Sequence, residues 1–195
     1  MVILRALLVL LIVVSVLVFV LLLSGVYDVG ADTPHWSWVE RLAAGTRNAS
    51  IDKRAKDIAA PNLDESALVA QGAQHYSEMC AGCHGAPGAE ESELRKGLYP
   101  KPPDLRTSAR GDPSRQFWVI KHGIKLSAMP AWGATHDDAA IWSIVAFLQK
   151  LPALSAAQYQ TLTGTEEGGE PHHRHEGQSA EDEGHSTVPA KRGAH

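Results

Sequence analysis

A predominantly helical chain is what this sequence predicts, and three observations carry the prediction. Residues Ala6 to Leu23 form an apolar run broken only by Ser15. Over residues 65–79, Leu68, Gly72 and Tyr76 recur at intervals of four along one face. Residues 139–148 are apolar nearly all round, as in a helix buried on several sides. The 195 residues suffice for one ordinary domain with extensions. Shifts in composition divide them into an apolar anchor over 1–24, a connector over 25–60, a globular domain over 61–163 and a polar tail over 164–195.

The apolar run is dominated by Leu, Val and Ile, with Arg5 just before it. A helix crossing the hydrocarbon core needs roughly 20 such residues. A cleaved signal peptide has a core of about 7–15 and a small-residue cleavage site. This run is longer, and Ser24-Gly25-Val26-Tyr27 offers no clean site. The prediction is an uncleaved transmembrane helix. Arg5 on one side, against Arg41 offset by Asp28, Asp32 and Glu40 on the other, leans toward an N-terminus in the cytoplasm.

In the connector, Thr33 as a cap followed by Pro34 predicts a short helix over 35–44. Trp36 and Trp38 suit either the headgroup boundary, where aromatic residues are enriched, or a packing contact. The globular domain opens with a helix over 65–79, for which Asn62 or Asp64 can serve as cap. Gly72 inside it costs about 1 kcal/mol against alanine, a cost that a close crossing by another helix would justify. From Gly85 to Arg115 the Pro, Gly and charged residues read as loop. Residues 114–121 predict a short helix offering Phe117, Trp118 and Ile120 to the core. Thr135-His136-Asp137-Asp138 then forms a capping stretch with acid in the first turn, and a helix runs to Lys150, stopped by Pro152.

The formal charge of −4 comes from the tail: seven acidic against three basic residues from Gly164 onward, and fifteen against fifteen before it. No basic excess marks a nucleic-acid surface. The tail is too poor in large apolar residues to order itself. It carries His172, His173, His175, His185 and His195, a composition that suits a solvated tail or a scavenger of divalent copper, zinc or nickel.

Both cysteines fall in Cys80-Ala81-Gly82-Cys83-His84. Too few for a secreted disulfide framework, they argue for a dedicated chemical site. Two thiols three positions apart with a histidine directly after form the signature of covalent c-type haem attachment. Two thioether bonds to the haem vinyl groups need sulfurs at a short fixed distance, and the imidazole of His84 reaches the iron from the same turn. A redox dithiol is the rival reading, but it gains reactivity at a helix N-terminus, whereas this motif follows the predicted helix. Zinc would need further ligands, and no second Cys/His pair stands at finger-like spacing. A haem-ligating histidine donates its second ring N–H to an acceptor that fixes the ring. In Tyr99-Pro100-Lys101-Pro102-Pro103 the carbonyl of Pro102 or of Pro103 can serve. A sixth ligand is needed for plain electron transfer, and a thioether suits it. Met1 begins the apolar run and Met79 adjoins Cys80, so Met129, 45 residues after His84 and followed by Pro130, is the predicted second axial ligand. His122 and His136 are the fallback ligands.

On the haem motif, on Met129-Pro130, and on the Gly72/Tyr76 helix paired with the Trp142-bearing helix, residues 62–154 resemble a membrane-anchored, monohaem class I cytochrome c. The resemblance implies an all-α fold around one covalent haem c, with first and last helices crossing near a right angle. Gly72, Tyr76 and Trp142 look like the contact positions of that crossing. It implies a one-electron carrier rather than an enzyme, with Cys80 and Cys83 holding the haem and His84 and Met129 as axial ligands. The haem side would face the periplasm, since such haem attachment is made outside the energised membrane, placing the protein in a cell inner membrane. Lys96, Lys101, Lys121 and Lys125 are candidates for a basic ring at the haem edge, although a neutral body implies modest steering of redox partners. Two alternatives stand beside the carrier: an electron-relay subunit of a larger membrane dehydrogenase, reductase or oxidase, and a haem sensor or peroxidase with an open iron site.

Overall fold

Two helices cross at the centre of the folded body, and the residue at their crossing is Gly72. The computed structural model describes residues 1–109 and 111–164. All regular structure among them is helical: α1 Val2–Leu23, α2 Ser37–Ala55, α3 Ser66–Met79, α4 Ala81–His84, α5 Glu93–Gly97, α6 Leu105–Ser108, α7 Pro113–His122, α8 Asp138–Lys150 and α9 Ala156–Thr163. Single 3-10 turns occupy Trp132–Ala134 and Leu151–Ala153. The fold class is all-α, as predicted.

α3 buries Val69, Gly72, Ala73 and Tyr76 along one face, and α8 buries Ile141 and every residue from Ser143 to Leu148. At the crossing, a Cβ on Gly72 would run into the backbone carbonyl of Ser143. The helix penalty of this glycine is thus offset by the approach of two backbones that any side chain would hold apart. Tyr76 packs on Phe147 with ring centroids 5.2 Å apart and on Tyr159 at 6.5 Å. Trp142, expected among the contact positions of the crossing, is half-buried against the core with its ring toward α7. It stacks on Phe117 of α7 at 4.2 Å, because it projects from the other side of α8. Phe147, five residues on, is the aromatic partner that α8 gives to α3.

Several local expectations are corrected. The connector helix begins at Ser37, where the Trp36 carbonyl accepts from the N–H groups of Val39 and Glu40, and not at a Thr33 cap. It continues through Gly45 to Ala55, because packing of its second half offsets the propensity cost of that glycine. Its second half buries Ile51 and Ala55 and docks on α7: Arg115 pairs with Asp52, and Ser114 Oγ donates to the Ile58 carbonyl over 2.8 Å. Neither Asn62 nor Asp64 caps α3. Asn62 Oδ1 accepts from the Asp64 N–H, Asp64 pairs with Lys150 at 2.7 Å, and Glu65 takes the cap position without a side-chain bond. The expected loop after the cysteine motif contains α5 and α6, each started by a side-chain cap, Ser92 and Asp104. α9 was not anticipated either. It opens with a capping box between Ser155 and Gln158 and buries Tyr159. α7 and α8 run as expected, capped by Asp112 and Asp137.

α1 is long and apolar enough to cross a membrane, with none of its 22 residues buried against the rest of the chain.

Candidate functional site

Cys80 ends α3, its N–H donating to the Tyr76 carbonyl, and α4 carries the rest of the motif in one helical turn. Immediately after it, Tyr76 Oη donates to the Gly85 carbonyl over 2.6 Å. The central aromatic of the core therefore grips the chain one residue beyond His84. Burial pushes the Cys80 thiol up to about 12, with the neighbouring Cys83 adding to the shift. A thiol held in its protonated form is the reverse of what a redox dithiol requires.

The His84 ring is fixed by the Pro103 carbonyl, 2.9 Å from Nδ1. A carbonyl only accepts, so Nδ1 carries the proton and Nε2 is left with its lone pair for a metal. Burial lowers the His84 pKa from its ordinary value, partly opposed by this hydrogen bond, and the neutral ring is the ligating form. The sequence left Pro102 and Pro103 open, and the two carbonyls turn out to have separate duties. Pro102 accepts from Arg95 Nη1 at 2.7 Å, as does Cys83 at 2.7 Å.

Arg95 is a buried tether of the motif that sequence reasoning missed. Only 6 % exposed, it joins the carbonyl of Cys83 to that of Pro102, and its Nε reaches Glu91 Oε1 at 3.0 Å. Ser92 Oγ donates to the Gly82 carbonyl while capping α5. The motif's backbone is thus held by two residues of a segment that read as loop. Asp104 caps α6 and pairs with Arg106 at 2.6 Å, and Arg106 Nη1 donates to the Ala89 carbonyl. The one available signal was a charged run, Glu91 to Lys96, beside a proline-rich stretch.

Met129 sits at the end of a closed turn. Ile124 N–H donates to the Met129 carbonyl at 3.1 Å, Ser127 Oγ donates to the Ile124 carbonyl at 2.7 Å, and the Met129 N–H donates to Ser127 Oγ at 3.2 Å. Gly123, with φ +64°, lets this turn fold back on α7; a Cβ there would meet the Met129 carbonyl and the Pro130 backbone. Met129 and Trp132 are half-buried against the core, as are Ala81 and Leu105 near the motif. Of the fallback ligands, His122 is exposed with its ring 4.9 Å from Trp118, and His136 lies edge-to-face with Trp132 and His75.

Of the four candidate lysines, Lys101 pairs with Glu91 at 2.6 Å and Lys121 with Asp138 at 2.6 Å, while Lys96 and Lys125 are exposed. Among the described residues no group of three or more His, Cys, Asp and Glu side chains converges as a metal site. The histidines of the proposed metal-binding tail lie outside the described residues. Two thiols, a neutral tautomer-fixed imidazole with one open nitrogen and a thioether on a separate turn make a donor set that fits haem c.

The span from α3 through α8, residues 67–148, matches the family model described as cytochrome c oxidase, cbb3-type, subunit III. No curated protein and no solved structure matches the chain.

Proposed function

We propose, from the premise that this chain carries a class I c-type cytochrome domain, that it is a membrane-tethered one-electron transfer protein with its haem domain on the periplasmic side. The observation that carries the ligand assignment is the hydrogen bond from His84 Nδ1 to the Pro103 carbonyl, which leaves Nε2 as the ring's only ligating atom. In this reading Cys80 and Cys83 would hold one haem c through thioether bonds, and the His84 imidazole and the Met129 thioether would be the protein's donors to its iron. Haem c, when bound, supplies an iron that cycles between the ferrous and ferric states.

The chain's own residues do the positioning. Arg95 and Ser92 keep the motif's carbonyls in place, Tyr76 anchors its exit, and the Gly123 turn presents Met129. Cys80 belongs to the same apolar cluster as the buried side chains of α3 and α8, and a water-poor surrounding of that kind would favour a higher reduction potential. With both donors bound, the iron would have no open position for oxygen or peroxide. The test is the absorption spectrum of the purified protein after acid–acetone extraction. Haem absorption that stays with the polypeptide supports the reading; its complete extraction overturns covalent attachment. Rapid and full carbon monoxide binding to the reduced protein would overturn the Met129 assignment.

The family match favours a second reading of the same chemistry. The matching family is named for a subunit of a membrane oxidase, so this chain can act as an electron relay bound to such a complex. Extraction in mild detergent separates the two: a diffusing carrier purifies alone, and a relay subunit purifies with its oxidase.

A further inference from the structure

Exposed apolar side chains run from the end of α1 into the first turns of α2. Trp36 is 48 % exposed, Trp38 57 % and Leu42 64 %, and Val26 and Val29 before them are exposed as well. At ~100° per residue, Leu42 lies roughly 180° around α2 from Ile51, the buried residue at the end of the helix that docks on α7. One face of α2 thus serves the haem domain, and the opposite face near its start presents Trp38 and Leu42 outward. Asp28, Asp32 and Glu40 outweigh Arg41 there, so the patch is apolar and aromatic without being basic.

This patch is also locked to the haem site. Tyr27 Oη lies 2.7 Å from His35 Nδ1, and the Tyr27 ring meets Trp36 edge-on at 5.1 Å. The backbone N–H of His35 donates to Tyr99 Oη over 3.0 Å, and the two rings meet edge-to-face at 5.1 Å. Tyr99 begins the stretch whose Pro102 and Pro103 carbonyls hold Arg95 and His84.

We propose that Trp36, Trp38 and Leu42 seat in the headgroup layer of the bilayer that α1 enters, and that the Tyr27–His35–Tyr99 clasp mounts the haem domain on this patch at a fixed tilt. The proposal rests on the reading of α1 as a membrane span. Lipid is the occupant because the patch continues directly from α1, whose 22 residues extend about 33 Å against a hydrocarbon core of about 30 Å. Tryptophan, with an apolar body and a polar N–H, suits that boundary. The absence of a basic excess means that zwitterionic lipid is enough. A haem domain mounted in this way offers the same side to every partner moving along the membrane.

The test uses the full haem-bearing chain in aligned bilayers of pure phosphatidylcholine. Linear dichroism of the haem absorption reads the tilt, and vesicle flotation reads insertion. Expected for the wild type are flotation and a clear dichroic signal that is insensitive to salt. Trp38→Asp with Leu42→Asp, two exposed positions, should abolish the dichroism while flotation and the absorption spectrum stay unchanged. Tyr99→Phe, which removes only the acceptor of the His35 N–H, should weaken it. Full dichroism in both variants overturns the proposal, as does a wild type that floats but is isotropic, the result expected if a protein partner covers the patch. A wild type that fails to float overturns the anchor reading itself.

Discussion

Removing the Arg95 guanidinium would leave the carbonyls of Cys83 and Pro102 without their donor in a place water reaches poorly. Hydrogen bonds to a charged group contribute about 1.5–3 kcal/mol each, so Arg95→Ala should lower stability by roughly 3 kcal/mol, measured by denaturant unfolding. Met129→Ala should act differently. On the ligation proposed above it should retain its haem through acid–acetone extraction, lower the reduction potential and let the reduced protein bind carbon monoxide; an unchanged spectrum would show that another residue ligates. Asp104 gives a prediction about acid. The hydrogen bond from Arg106 holds its carboxyl below the usual carboxylate value, so in mild acid the folded chain stays ionised where the unfolded chain takes up a proton. The stability this lends is complete above about pH 4 and is lost as pH falls through the folded-state value. Asp104→Asn keeps an acceptor for the α6 cap and should flatten the acid side of the stability profile. Urea midpoints for the two proteins between about pH 2 and pH 5 check this. Cys80, Cys83 and His84 stand out in the sequence because the haem attachment proposed for them would dictate their spacing. Arg95, Ser92 and Asp104 do not, because their partners are backbone carbonyls and amides, and any sequence supplies those.

The crossing of α3 on α8 allows no side chain at Gly72. The obstacle is the Ser143 backbone carbonyl, which cannot swing aside as a flexible side-chain tip would, so Gly72→Ala must push the helices apart. Overpacking of this kind costs about 1–3 kcal/mol, and a thermal melt of the haem-loaded protein should register it. Mid-helix Gly72 was readable as a crossing point because its propensity penalty had to be offset somewhere. The identity of its partner was not, and Trp142 was the wrong aromatic. Periodicity shows that α8 is buried nearly all round, but such a helix gives no sign of which side faces which neighbour. α9 could have been found from Ser155-x-x-Gln158, a capping box. α5 and α6 are too short for any periodic signal.

In the whole molecule, α1 makes no buried contact while α2 packs on the haem domain. A chain in which a cleavable export signal replaces residues 2–24, so that it still reaches the haem-attaching side of the membrane, should therefore fold, dissolve without detergent and keep an unchanged haem spectrum. Aggregation or loss of that spectrum would show that α1 belongs to the core. Read alone, the sequence determined the helical class and the apolar span, and it put two thiols and an imidazole within one turn, because hydropathy and close spacing are local properties. The tertiary structure decided that Pro103 and not Pro102 fixes His84. It also showed that a buried arginine ties the motif to the proline stretch, and that the connector docks on α7 instead of hanging between anchor and domain. Each of these depends on groups far apart in the chain meeting at hydrogen-bond distance, and that follows from how the helices pack.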